Sequence, residues 1–124
     1  MFAITSTKRN GQKIKHYVKP LEIIWAKFPN IWNAANTIHL DDLSRNFALN
    51  LSNGLKVSAY YRKKRKSGRR SISTGNKDVE LIGLIGYCTK LAKEVNDFRD
   101  VEFKYWKDVV NGTKDIILTN KKKG

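Results

Sequence analysis

Cysteine is almost missing from this 124-residue chain, where Cys88 stands alone. A single thiol closes no internal disulfide, so nothing points to an oxidising compartment, and the soluble interior of the cell is the expectation. No apolar run approaches the roughly 20 residues of a membrane span. Met1-Phe2-Ala3-Ile4-Thr5 opens into strand-like sequence, without the charged and apolar regions of a secretory signal. Acidic residues are scarce as well: 11 against 25 lysines and arginines, a net charge of +14. Several enzyme signatures are also missing. There is no G-x-S-x-G, no Walker loop, no G-x-G-x-x-G and no cysteine–histidine cluster for zinc. His16 and His39 stand apart from one another and read as strand residues, His39 being two positions from an acidic pair.

What is present fits one domain with a modest core. Hydrophobic residues make up 40% and charged residues 29%, ordinary for a globular chain. The positive excess predicts attraction to polyanions such as nucleic acid, phosphoproteins or acidic protein surfaces. It is concentrated in Arg62, Lys63, Lys64, Arg65, Lys66, Arg69 and Arg70, and again in Lys121-Lys122-Lys123. A run of this kind reads first as a solvated loop or a localisation signal. A dedicated nucleic-acid surface is the weaker reading, because no base-reading motif accompanies the charge.

Phe2 to Thr7 and Ile14 to Val18 alternate between apolar and polar residues around Asn10-Gly11, which predicts a β-hairpin. After Pro20, Leu21, Ile24, Trp25 and Phe28 recur at helical spacing, and Pro29 predicts a kink or stop with a further turn through Ile31 and Trp32. Core packing is the expectation for Trp25 and Trp32. Thr37-Ile38-His39-Leu40 reads as a short strand ending at Asp41-Asp42, and Leu55-Lys56-Val57 as another. Residues 62–77 read as a basic loop. A helix is expected from an Asp78 N-cap to about Val95, largely buried, because Val79, Leu81, Ile82, Leu84 and Ile85 cover a broad face. A last helix is expected over Val101 to Val110, with Phe103, Trp106 and Val110 on one side, followed by a basic tail over 114–124.

Carboxylates at the end of an apolar strand are poor packing residues, since burying them unpaired is costly. At the C-terminal edge of a parallel sheet they face the crevice where α/β proteins bind ligands. Adjacent carboxylates with Lys19 one helix earlier suit magnesium-assisted phosphoryl transfer: magnesium takes one or two carboxylates plus waters and phosphate oxygens. Lysine supplies a compact positive charge to the phosphate. A surface Asp-Asp turn explains the same spacing.

Taken in order, Val18-Lys19-Pro20-Leu21, Ile24-Trp25-Ala26-Lys27-Phe28, the stretch from Asn36 through Asp41-Asp42 to Phe47, and Asn53-Gly54-Leu55-Lys56-Val57 resemble the ubiquitin-like-domain-containing phosphatases of the RNA-polymerase C-terminal-domain phosphatase group. That group belongs to the haloacid dehalogenase superfamily. The resemblance extends through Asn96-Asp97-Phe98 and Lys104-Tyr105-Trp106, covering about Ile4 to Val110. It implies an α/β fold: part of a Rossmann-like haloacid dehalogenase domain over 1–113, with a hairpin, short parallel strands and about three helices. It implies a magnesium-dependent protein serine/threonine phosphatase in which Lys19 steadies the nucleophile and the phosphate, Asp42 ligates Mg2+, and Asp41 lies in or just behind the metal shell. Arg45 and Asn46 match the supporting segment. It also implies a phosphoprotein substrate, a proteasome contact through a ubiquitin-like module, and a nuclear address with a cytoplasmic share.

The family nucleophile is the first aspartate of a D-x-D-x-T/V motif. It forms a phospho-aspartate that water hydrolyses. Asp41, Asp42, Asp78, Asp97, Asp100, Asp108 and Asp115 are the only aspartates here, and no two form D-x-D. The expectation is therefore the C-terminal half of the catalytic domain, without the nucleophile or the ubiquitin-like module. Two alternatives remain at this point: a catalytically inactive binding or regulatory relative, and a small basic nucleic-acid binder.

Overall fold

The computed structural model describes residues 3–60 and 79–119. The basic run at 62–70, the surrounding loop at 62–77, the Asp78 cap and the end of the tail from residue 120 lie outside the described residues. The architecture is α/β, with an antiparallel hairpin, a pair of parallel strands and three α-helices.

Strands β1 (Ala3–Arg9) and β2 (Gln12–Val18) form the expected hairpin, with Ala3 opposite Val18 and Arg9 opposite Gln12. The turn works because Asn10 and Gly11 both take positive φ, 50° and 77°, which asparagine and glycine tolerate best. Most of the ribbon is exposed, Tyr17 at 68%, and a lone hairpin is marginal in water. Its anchor is the fully buried Val18, where β2 packs against the 3-10 turn Ser44–Phe47.

Helix α1 (Glu22–Lys27) is short, as Pro29 dictates. Phe28 leaves the helix at φ −129° and ψ 59°, outside the α region that is disfavoured before proline. A further turn follows through hydrogen bonds from the Ile31 and Trp32 amides to Phe28 O. Trp32 is not a core residue, however; it is 45% exposed. Trp25 is half-buried, and its indole N–H donates to Thr37 Oγ1 at 3.0 Å. The turn ends the helix before its apolar stripe reaches a partner surface, so none of its residues is fully buried.

Strands β3 (His39–Asp41) and β4 (Gly54–Lys56) pair in parallel, Leu40 opposite Leu55 and Asp41 opposite Lys56. Leu55 lies at the centre of the core with Leu84, Tyr87 and Leu91 of helix α2 (Glu80–Glu94) and with Val101, Phe103, Trp106 and Val109. Burying a leucine such as Leu55 or Leu91 stabilises by about 1.5–3 kcal/mol. Tyr87 packs on Trp106 with ring centroids 6.0 Å apart, and burial pushes its hydroxyl up to about 12. Burial likewise pushes up the Cys88 thiol, keeping it an inert core neighbour.

Two expectations are corrected here. Helix α2 is buried along one stripe only: Val79, Leu81, Ile82 and Ile85 are 61–71% exposed. The described residues supply a single layer against α2, and its second apolar face is covered by none of them. The last helix is also shorter than expected, a 3-10 turn over Phe103–Tyr105 running into α3 (Trp106–Val110). The tighter turn shifts the phase, so Val109 is buried while Val110 is 42% exposed. Val101 is extended instead, bridging antiparallel to Leu118, so residues 116–119 of the expected tail dock on the core. No helix among the described residues is long and apolar enough to cross a membrane.

An exposed α2 face and a parallel strand pair with no further strand among the described residues favour association. Sedimentation should show concentration-dependent self-association at micromolar protein. Ile82→Glu with Ile85→Glu should reduce it without loss of denaturant stability, whereas Leu91→Ala should cost about 2–5 kcal/mol.

Candidate functional site

Asp41 is the last residue of β3 and Asp42 the first beyond it, where the parallel pair opens. Asp41 is held from two sides. Its Oδ1 accepts the Leu43 amide at 2.8 Å and its Oδ2 accepts Asn46 Nδ2 at 2.9 Å. Burial on its own pushes this carboxyl up, but the Leu43 and Asn46 hydrogen bonds, with smaller help from Asp42 and His39, bring it below the ordinary carboxylate range. His39 stands behind, Nε2 3.8 Å from Asp41 Oδ2, with its ring edge-on to Phe47 at 5.1 Å. Its Nδ1 has no hydrogen-bond partner among the described residues.

Asp42 differs from its neighbour. It is half-buried, yet no backbone amide, asparagine or cation among the described residues holds its carboxylate, whose one neighbour is Asp41. Asp41 spends its oxygens on shaping the turn, whereas those of Asp42 are not used in that way. That division fits hard-cation chemistry, in which one or two carboxylates are completed by water and phosphate. Among the described residues no group of three or more histidine, cysteine, aspartate or glutamate side chains that could hold a metal ion forms here.

Of the other residues singled out in sequence, Asn46 is brought to the pair as the donor to Asp41, whereas Arg45 is exposed and makes no contact with it. Lys19 is placed at the exit of β2, the strand that packs on Ser44–Phe47.

Three asparagines do positioning that the sequence reading missed. Asn50 Oδ1 accepts the Leu21 amide at 3.0 Å while its Nδ2 donates to Glu22 Oε1 at 2.8 Å, fastening the Lys19-Pro20-Leu21 corner to the segment after the pair. Asn53 is the one buried polar residue among those described, 3% exposed, and its Nδ2 donates to Ala34 O and Thr37 O, both at 2.7 Å. Asn36 closes the same loop through Ile31 O. A cluster of asparagines at non-helical positions was the available signal, since asparagine substitutes its side chain for backbone partners in turns. Gly54 completes the local design, because a Cβ there would run into the Phe47 ring.

Two outcomes follow. Asn53→Ala leaves two part-buried carbonyls without their donor and should lower stability by about 1–3 kcal/mol in all, read by urea unfolding. The depressed Asp41 carboxyl contributes stability that is full above its ordinary value of 3.8 and is lost as pH falls through its lower folded value. Asp41→Asn should therefore lower stability at pH 7 and make the acid limb shallower; an unchanged acid limb would show that Asp41 carries none of it.

Comparison with known proteins gives this geometry its family. NLI interacting factor-like phosphatases match residues 2–99. Ubiquitin-like domain-containing CTD phosphatase 1 of Homo sapiens and that of Bos taurus are each 39% identical over 89 residues, 72% of this chain and 25% of theirs. The Rattus norvegicus protein is 38% identical over the same share. The chain thus spans about a quarter of the length of the curated relatives it matches. The matched span holds the hairpin, Lys19, the acidic pair, the parallel strands and α2, and the chain belongs to the NLI interacting factor-like phosphatase family.

Proposed function

We propose that this chain is the metal-side part of a magnesium-dependent protein serine/threonine phosphatase with a haloacid dehalogenase-like catalytic domain. The observation that carries the reading is the unequal pair: Asp41 held by Leu43 and Asn46, Asp42 left to engage an external cation. In this reading Asp42 is the magnesium ligand, Asp41 fixes the backbone that presents it, and Asn46 holds Asp41. When bound, Mg2+ would offset the charge of the substrate phosphate and of the carboxylate attacking it. Lys19, at the corner tied down by Asn50, would orient the phosphate and the nucleophile. The nucleophile itself belongs to a D-x-D-x-T strand that this sequence does not contain. The substrate is a phosphoprotein. The relatives' names carry a ubiquitin-like domain; a proteasome contact through such a module is part of the proposal and follows from the family resemblance of the sequence alone. A nuclear address through Arg62 to Arg70 is proposed from the basic run.

The lack of D-x-D in the sequence supports a second reading, a catalytically inactive binding or regulatory member of the same family. A chimaera separates the two. The human relative, with its matching segment exchanged for this chain, should release phosphate from a phosphoserine peptide in a Mg2+-dependent manner. Asp42→Asn should lower the rate by at least about 10²-fold, in keeping with loss of several kcal/mol of transition-state stabilisation. A folded chimaera without turnover would favour the inactive reading.

A further inference from the structure

A second feature opens on the same end of the parallel strands. A groove of about 670 Å³ runs between Ser44–Phe47 and β4 on one side and the 98–108 segment on the other. Phe47, Val101, Phe103 and Trp106 give it an apolar floor. Ser44, two positions past Asp42, lines it, as does Lys56, the register partner of Asp41. The acidic pair itself does not line the groove, but the segment that follows it and the strand paired with it do.

Its charge is one-sided. Lys56, Arg99, Lys104 and Lys107 line it against the carboxylates of Glu102 and Asp108. Both carboxylates are engaged, Glu102 with the Lys104 amide at 3.2 Å and Asp108 with Lys114 at 3.5 Å. Arg99 is paired with Asp97, and Lys107 with Glu80. Lys56 and Lys104 have no carboxylate within ion-pair distance among the described residues. Lys104 instead lies 5.4 Å from the Tyr105 ring centre, whose other cation, Lys114, is at 3.9 Å. Aromatic faces hold lysines near the groove while leaving their donors to an incoming anion. Trp106, whose indole N–H donates to Lys56 O at 3.0 Å, ties the two walls together.

We infer that this groove is a docking subsite for a second phosphate on the phosphoprotein substrate, flanking the residue presented to Asp42, with Lys56 and Lys104 as its anion contacts. The inference rests on the phosphatase reading for the identity of the ligand. An acidic, multiply phosphorylated peptide complements two uncommitted lysines over an apolar floor, and a phosphate accepts charge-assisted hydrogen bonds from several donors at once.

Binding without turnover tests it independently of catalysis. The 124-residue chain, with the seven cations of 62–70 exchanged for glutamine so that the run does not dominate, is titrated without Mg2+. The probes are a monophosphorylated peptide, its diphosphorylated counterpart and a single-stranded RNA oligomer. The diphosphorylated peptide should bind about tenfold tighter than the monophosphorylated one. Lys56→Gln with Lys104→Gln should abolish that difference, while Asp42→Asn should leave it intact. These lysines are exposed, and far-UV circular dichroism checks that the variant keeps its fold. A preference that survives loss of both lysines, or an effect of their loss confined to the RNA, would overturn the inference. Failure of the chimaera to turn over would leave this result standing, so the two readings fail separately.

Discussion

The parallel pairing of His39–Asp41 with Gly54–Lys56 is the contact on which the rest depends. Leu55, fully buried, presses this pair onto α2 and the 101–109 segment, so the strand ends cannot shift without disturbing the core. The Val57 amide donates to Asp41 O at 3.1 Å, extending the pairing to the last residue before the chain turns. Around this short sheet the approaches are closed by side chains. Asn53 locks the loop entering β3, Gly54 admits the Phe47 ring, and Trp106 reaches Lys56 O. Asp41, the last residue of β3, is thereby carried on a fixed edge, and Asp42 follows it in the bend that Asp41 shapes.

Charge is distributed along the same lines. The carboxylate that shapes the backbone is satisfied by Leu43 and Asn46, while no amide or cation among the described residues holds its neighbour Asp42. Farther along the edge, Glu80 accepts from the Ser58 amide and pairs with Lys107 at 3.1 Å, joining the segment after β4 to the first turn of α2. Burial on its own pushes Glu80 up, yet these Ser58 and Lys107 contacts keep it below its ordinary value. The two ends of the 59–79 connection are thus fastened to each other.

Much of this was legible in the sequence, for reasons that differ by element. The hairpin was readable because Asn10-Gly11 encodes its own turn, and the end of α1 because proline dictates it. The order of Lys19, Asp41-Asp42 and Asn53-Gly54 pointed to the family because several weak motifs at fixed spacing are jointly specific. The α2 stripe misled, since periodicity reports which faces are apolar and not whether a partner is present: Ile82 and Ile85 belong to a helix with one covered side. The 3-10 turn before Trp106 was invisible for a related reason, because a tighter turn changes phase without changing composition. The roles of Asn50 and Asn53 depend on partners 16 to 29 residues away, beyond any local pattern.

The proposed division, Asp41 structural and Asp42 the open cation ligand, is tested most directly by paramagnetic broadening by Mn2+, a hard-cation probe for Mg2+, in amide spectra of the chain. The account predicts broadening centred on Asp42, Leu43 and Ser44 at low Mn2+. Asp42→Asn should remove it, and excess Mg2+ should relieve it. Broadening centred elsewhere, or undiminished in Asp42→Asn, would contradict the account.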